Sequence, residues 1–471
     1  MHEEEGGSNI STSMMLKRLF LLLGISLTVT IVGYNTILDI KQSVACSVFI
    51  AIILGTLFFW SFRLAIAFIG LAVLIFTHSL NIPKFVESAA LPVILFLVGM
   101  MIVVGALRDL GFFTWVVQMI VSMPKISARK FIATTAVASA LLACAVDEVT
   151  SIIFISTLIF QVCDRLKLNP SPYIIICVLC TNVGSAGTMM GNPVGIFVGT
   201  RAGLTFEDFM IWSFPIMLVC LMACIVTTLL YYRKDLDEFD EKLKDRLSRD
   251  LGLAPKIDVP YKQGLVVLIL TVLFIASHHQ LEKLLSLEKN SILLIAPLIC
   301  SGLIMLFKHD RARYYVEREV DWWTLLFFML LFAIAGTLEH THVTSLMAEK
   351  FSTVCGASQL TLIPLIMFVS AIGSAFVDNV IFVAAFCPII EELSSSVNVF
   401  PLWWALLFGA CLGGNITMIG STANIVALGM LEKRAKTHIR FFEWLKIGVL
   451  SAIVTLLIAW VLIVGLRVEA T

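Results

Sequence analysis

Long apolar runs broken by short polar stretches govern the reading of this chain. Apolar segments at 19–34, 44–62 and 64–80 predict three membrane helices, and a fourth follows at 91–107. The run at 112–123 is shorter than a span and fits the membrane interface. The run at 131–162 carries Asp147-Glu148 at its middle. Two carboxylates halfway along a lipid-facing helix are costly, so this stretch predicts a re-entrant hairpin with the acids at its tip. Residues 172–199 are apolar but interrupted by Gly184, Gly187, Gly191 and Pro193, which predicts a broken helix; 209–232 is a further span. Residues 233–262 form the one long polar stretch, dense in both charges. Leu236, Phe239, Leu243 and Leu247 recur there at helical spacing, predicting an amphipathic helix in a solvated connector. Spans at 265–277 and 292–307 follow. The pattern then replays: a span at 322–337, an interfacial piece at 343–354, a hairpin at 360–393, a broken helix at 401–430 and a last span at 442–466.

The replay extends to individual residues. Ser139-Ala-Leu-Leu-Ala-Cys-Ala-Val-Asp-Glu-Val149 is answered by Ser370-Ala-Ile-Gly-Ser-Ala-Phe-Val-Asp-Asn-Val380. Gly184-Ser-Ala-Gly-Thr-Met-Met-Gly191 is answered by Gly413-Gly-Asn-Ile-Thr-Met-Ile-Gly420. Asp147 precedes Thr188 by 41 positions and Asp378 precedes Thr417 by 39. Paired motifs in the same order at near-equal spacing mark a duplicated unit. The expected organisation is N-terminal scaffold helices at 1–90, a first repeat at 91–232, a cytoplasmic linker at 233–262, scaffold helices at 263–321 and a second repeat at 322–471.

Composition agrees with a polytopic membrane protein. Of 471 residues, 59% are hydrophobic and 14% charged, with mean hydropathy +0.97, whereas soluble domains carry roughly 25% charged residues. Zero net charge excludes nothing, but the placement of charge is informative. If the start, both long linkers and the last loop are cytoplasmic, 26 of the 33 Lys and Arg residues lie inside and 7 outside. Only hairpins that leave by the side they entered give this split, so the two repeats are expected to be inverted, the plan of a secondary transporter. The start lacks the basic region and small-residue cleavage site of a signal peptide, so 19–34 is kept as a span.

The candidate chemistry sits at the tips and kinks. Asp147, Glu148 and Asp378, with Thr150 in the first turn after the tip and Asn379 beside its acid, can bind sodium or hold a proton; Asp147 also reads as a helix N-cap. Thr188 and Asn192 in the first kink, and Asn415, Thr417, Ser421, Thr422 and Asn424 in the second, are neutral groups suited to a hard cation or an oxyanion, or to backbone groups freed by the breaks. Gly184, Gly191, Gly413, Gly414 and Gly420 read as backbone permission. Cys144, Cys180, Cys387 and Cys411 lie near these features; a soft ion such as As(III) would favour them, yet small packing residues account for them, as for the Cys177–Cys180 pair. Glu339-His-Thr-His342 and His278-His279 resemble metal pairs only loosely. A passive channel would need a continuous polar pore, and no nucleophile–base constellation or phosphate loop suggests an enzyme.

Val146-Asp-Glu-Val-Thr150, Thr181-Asn-Val-Gly-Ser-Ala-Gly-Thr-Met-Met-Gly-Asn-Pro193, Phe376-Val-Asp-Asn379 and Gly413-Gly-Asn-Ile-Thr-Met-Ile-Gly-Ser-Thr-Ala-Asn424 resemble the ion transporter superfamily. Within it they are most similar to the group of arsenite permeases, NhaD-type sodium/proton antiporters and the melanosomal P protein. The likeness runs from about residue 91 to the end and brings Asn182 into the candidate site. It implies a dimeric elevator-type carrier with hairpins and broken helices in a mobile domain. That family usually has Asp-Asn at both tips and Asp-Pro-Pro-Asn after the first kink; here Glu148 replaces one amide, and Asn192-Pro-Val-Gly195 lacks the acid.

The expectation is therefore an all-α polytopic membrane protein of about ten to eleven transmembrane helices plus two re-entrant hairpins in inverted repeats. It would lie in the cell membrane as a homodimer with its amino terminus inside. It would be no enzyme, would bind no nucleic acid and would need no cofactor beyond Na+ or H+ as coupling ion. The preferred transport reading is gradient-driven movement of a small inorganic anion or metalloid such as arsenite. The alternatives are Na+/H+ antiport and sodium-coupled carboxylate (citrate-type) transport.

Overall fold

Backbone hydrogen bonding inside a bilayer must be satisfied locally, and apolar runs of this length meet that demand as helices. The computed structural model describes residues 12–123, 127–248, 259–355 and 358–466, and every regular element among them is helical. The expected cytoplasmic start at 1–11, the loop at 124–126, linker residues 249–258, the pair at 356–357 and the end from 467 lie outside the described residues, and with them part of the charge tally that orients the chain. Among the described residues, nine helices are long and apolar enough to cross a membrane. The count is ten if Lys262–Ala276 and His278–Leu285, bent by 55°, form one span. The count differs from the expected ten to eleven plus hairpins for a physical reason. Three of the nine are arms of the expected hairpins, while glycine breaks shorten Ser171–Ser185 and Phe400–Gly413 below span length, and Arg63–Phe76 and Ser291–Phe307 are short as well.

The chain divides into two compact units that cut across the sequence repeats. The first holds 1–94, 322–358 and 380–399; the second holds 95–321, 359–379 and 400–471. In the first unit, Trp322–His340 packs on Ile40–Phe58, Arg63–Phe76 and Ile82–Ser88. Asp39 and Gln42 form a capping box that starts Ile40–Phe58. Arg63 is buried beneath the rings of Trp60 and Phe327, at 4.0 and 4.7 Å. His340 pairs through Nε2 with Ser88 Oγ at 3.0 Å.

In the second unit the first expected hairpin is two helices, α1 (Ala128–Ala145) and α2 (Glu148–Leu166), packed together and parted at Val146-Asp147. At 18 and 19 residues the arms are about 27–28 Å long, enough for each to reach across a bilayer core. The first broken helix is α3 (Ser171–Ser185) and α4 (Pro193–Ala202), followed by α5 (Phe214–Tyr231). Every side chain of α3 is buried, because it packs on α1, α2 and α5 together.

The connector helix α6 (Arg233–Ser248) is docked rather than solvated along its length. Leu236, Phe239 and Leu243 are fully buried; the side chain of Leu247 lies outside the described residues. The Phe239 ring meets Phe131 and Tyr173, and α6 packs on α1 and α2. Polar ties fix both ends of the helix pair. Ala128 N donates to Asp240 Oδ1 at 2.6 Å, while Lys242 and Arg246 donate to the carbonyls of Lys167 and Arg165. An acid at one helix start and bases at the other helix end complement both helix dipoles. The piece at Phe112–Val121 likewise buries Phe112, Phe113, Val116 and Ile120 against α1 and α2.

The second half of this unit repeats the plan with α7 (Gln359–Phe376), α8 (Asn379–Leu393, which passes into the first unit at Val380), α9 (Phe400–Gly413), α10 (Thr422–Met430) and α11 (Phe441–Leu466). Helix α9 packs on α7 and α11 as α3 packs on α1 and α5.

Candidate functional site

Two helix ends carry the tip carboxylates. Asp147 is the N-cap of α2, its Oδ1 accepting from Thr150 N at 2.8 Å, so it sits where the helix dipole is positive. Glu148 follows at the first position of α2 and is buried. Asp378 stands just before α8 and Asn379 opens it, both buried, and Thr422 Oγ1 donates to Asp378 Oδ2 at 3.5 Å.

The two kinks are built alike. Thr188 donates to the carbonyl of Cys144, and Thr417, 229 positions on, donates to that of Ala375. The carbonyl of Ala186 accepts from Ser213 Oγ at 2.6 Å, and that of Asn415, again 229 on, accepts from Trp444 Nε1 at 3.1 Å. The glycines match too. A Cβ on Gly184 would strike the Ala140 backbone, and one on Gly413 the Ala371 backbone. Gly191 and Gly420 press on the backbones of Ser185 and Gly414. None of these five candidate glycines has positive φ. Their role is close approach of helices rather than the conformational freedom read from the sequence.

Between the kinks the side chains form one network. Asn182 Nδ2 donates to Asn415 Oδ1 at 2.8 Å and to Asn424 Oδ1 at 2.9 Å, and its Oδ1 accepts from Ser421 Oγ at 3.0 Å. Asn424 Nδ2 donates to the carbonyls of Gly414 and Thr417, and Asn415 Nδ2 to that of Leu179. The amide donors of these three asparagines are thus engaged within the protein. Asn192 caps α4, accepting from Gly195 N at 2.9 Å, and its Nδ2 reaches Ser185 Oγ at 2.9 Å, Cys411 Sγ at 3.2 Å and Glu148 Oε2 at 3.5 Å. Ser421 Oγ lies 3.3 Å from Glu148 Oε1. Glu148 therefore ends in a pocket of neutral donors supplied by both kinks.

Asp378 and Asp147 also act electrostatically on Glu148. Among the described residues no group of three or more His, Cys, Asp or Glu is placed to hold a metal ion. The oxygens on offer are mixed carboxylate, hydroxyl and carbonyl, the donor set of a weakly held hard cation.

The structure thus brings Glu148, Asn182, Asn192, Asn415, Ser421 and Asn424 into one network, with Thr188 and Thr417 bracing the kinks. Thr150 serves the cap of α2. Sequence reasoning missed Ser185, which flanks Asn192, and the buried pair Ser139 and Thr181, whose hydroxyls lie 2.6 Å apart; Cys411, read there as a packing residue, accepts from Asn192. Ser139 and Ser185 both stand inside the duplicated motifs, which is the signal that could have found them. Of the cysteines, Cys144 donates to Gly184 O at 2.9 Å and Cys180 meets Cys224 at 3.7 Å. His278 is fully buried with Nδ1 2.8 Å from Ile275 O.

Comparison with known proteins places these features in a family. The profile of the CitMHS family, described as citrate transporter, matches residues 48–409. An uncharacterized transporter of Mycobacterium tuberculosis is 33% identical over 372 residues, covering 78% of this chain and 84% of the relative. The 46 kDa membrane protein of Mycobacterium leprae is 32% identical over 378 residues with the same coverage. The human P protein is 26% identical over 427 residues, covering 75% of this chain and 50% of that protein. The crystal structure of the YdaH transporter of Alcanivorax borkumensis has the same fold, with TM-score 0.54 over 96% of this chain and 97% of that one at 13% identity.

Proposed function

The chain belongs to the CitMHS family and is a secondary transporter of the ion transporter superfamily, and on that premise we propose that it couples transport to Na+ or H+ bound at Asp147, Glu148 and Asp378. The observation that carries this reading is the meeting of buried Glu148 with Asn192 and Ser421 from the two kinks, beside Asp147 and buried Asp378 at the matched helix starts. Such a cluster attracts cations and repels free anions. Cation exchange, Na+ against H+, follows most directly from it. Asn379, Thr422 and the kink carbonyls complete the oxygen set.

A second reading rests on the family description. A small carboxylate such as citrate would enter with its charge offset by a bound cation. Arsenite-type transport ranks third: an uncharged metalloid hydroxide would suit the hydroxyls and amides, but Cys144 and Cys411 are already engaged in hydrogen bonds. The repeats of inverted topology, the re-entrant course of the hairpins, the dimer and the elevator-type movement belong to the same proposal, with the hairpins and broken helices as the moving part. Sodium-22 uptake into proteoliposomes, with and without citrate and with and without a pH gradient, tests it. Uptake driven by the pH gradient alone supports exchange, uptake that requires citrate supports the second reading, and no uptake in any condition overturns the sodium assignment.

A further inference from the structure

One buried polar cluster stands outside the tips and kinks and takes no part in the transport reading. The helices Lys262–Ala276 and His278–Leu285 meet at a bend of 55°, and His278 sits at that bend, fully buried. Its Nδ1 lies 2.8 Å from the carbonyl oxygen of Ile275. A carbonyl can only accept, so Nδ1 carries a proton and, in the neutral ring, Nε2 presents a lone pair. That Nε2 is buried and meets no hydrogen-bond partner among the described residues.

Two further acceptors belong to the same corner. Glu282, one helical turn on and on the same face, is buried as well. Its Oε2 accepts from Asn290 N at 3.1 Å and its Oε1 from Ile292 N at 2.9 Å, which leaves a lone pair on each oxygen. Asn290 stands at the start of the next helix, Ser291–Phe307, with φ +65° and without a side-chain capping bond. Its Oδ1 is buried and likewise meets no partner among the described residues. Helix His278–Leu285 packs on Ser291–Phe307, and the exposed residues 286–289 that join them border the cluster on the solvent side. A ring nitrogen, a carboxylate and an amide oxygen thus belong to one corner, two of them without a donor. Burying acceptors in this way is costly, and a cation removes the cost.

We propose that His278 Nε2, a carboxylate oxygen of Glu282 and Asn290 Oδ1 form a site for one divalent ion of the zinc type, which clamps the bend to the helix that follows. Imidazole selects zinc and its neighbours over calcium and magnesium, which prefer oxygen alone. A metal-bound histidine commonly donates its other ring N–H to a backbone carbonyl, as His278 does to Ile275. With an amide as its third member, the site is not a cluster of His, Cys, Asp or Glu alone. It uses none of the residues of the cation-coupled reading and does not depend on it.

Calorimetric titration of EDTA-stripped, purified protein with ZnCl2 tests the inference, with CaCl2 and MgCl2 as controls. Wild type is expected to bind a zinc ion that raises its thermal unfolding temperature, and neither control should do so. Two variants each remove one ligand while sparing the fold. Asn290→Gly keeps a backbone at φ +65°, which glycine adopts freely, and loses no capping bond. His278→Phe keeps a ring in the buried space. Each is expected to weaken zinc binding by at least about 10–100-fold, the loss that an outer-shell partner alone causes in metal sites. Absence of zinc binding by folded wild type would overturn the inference and leave the cluster to buried water. Zinc binding equal to wild type by either folded variant would overturn it too, as would calcium bound as tightly as zinc.

Discussion

Asn182→Ala should destabilise the protein by about 2–5 kcal/mol, a large effect for one exposed-looking polar residue in a sequence but a natural one for the hub of a buried network. The substitution removes three hydrogen bonds, at 2.8, 2.9 and 3.0 Å. Hydrogen bonds between membrane helices are worth about 0.6–1.7 kcal/mol each by mutant cycles, which gives about 2–5 kcal/mol for three. A second route gives a similar figure. The side-chain oxygens of Asn415 and Asn424 both lose their Asn182 donor, and a stranded buried acceptor costs about 1–3 kcal/mol. Ser421 suffers less, because its hydroxyl also faces Glu148. Pairwise additivity should fail between neighbours, so the cycle Asn182→Ala with Asn415→Ala should show a coupling of about 0.6–1.7 kcal/mol. Reversible unfolding of purified protein in mixed SDS micelles, referenced to wild type, measures both. Stability of Asn182→Ala within about 0.5 kcal/mol of wild type would refute the idea that this network joins the two halves.

The remaining expectations follow from single contacts. Asp147→Asn should keep its helix start, because Asn caps as well as Asp, and so leave stability within about 0.5 kcal/mol while abolishing sodium-coupled transport; Asp147→Ala should lose both, and equal transport by Asp147→Asn would reduce Asp147 to a cap. Gly184→Ala and Gly413→Ala should each cost about 1–3 kcal/mol or more, since the new methyl meets backbone atoms of Ala140 or Ala371, whereas Gly302→Ala, with open space around it, should be neutral or stabilising in the same thermal assay. Phe239→Ala should release α6 from α1 and α2, at about 3–5 kcal/mol of local packing, and speed hydrogen exchange at amides 128–131, Ala128 N first; unchanged exchange there would mean the helix is not held by that contact.

The helical pattern was readable because lipid and water impose opposite demands on the chain. The break between α1 and α2 falls at Val146-Asp147, where a carboxylate pair interrupts an apolar run, and α3 and α9 end where glycines cluster. The duplication was readable from spacing, and its physical counterpart is the matched hydroxyl bonds of Thr188 and Thr417. The membership of the two compact units was not readable: 322–358 and 380–399 group with the chain start, a long-range outcome that no local period encodes. Docking of α6 was half readable, since the spacing of Leu236, Phe239 and Leu243 announces an apolar face but not what covers it. Ser185 escaped notice because small polar residues are common in membrane helices and gain meaning only from a partner, here Asn192, which also makes Cys411 more than a packing residue.

The central claim is that buried carboxylates at the two tips bind the coupling cation, and sodium-triggered collapse of a pre-formed pH gradient in everted vesicles tests it most directly. Wild-type vesicles should discharge the gradient when sodium is added, and vesicles with equal amounts of the folded Asp378→Asn variant should not. Equal discharge by both would contradict the account.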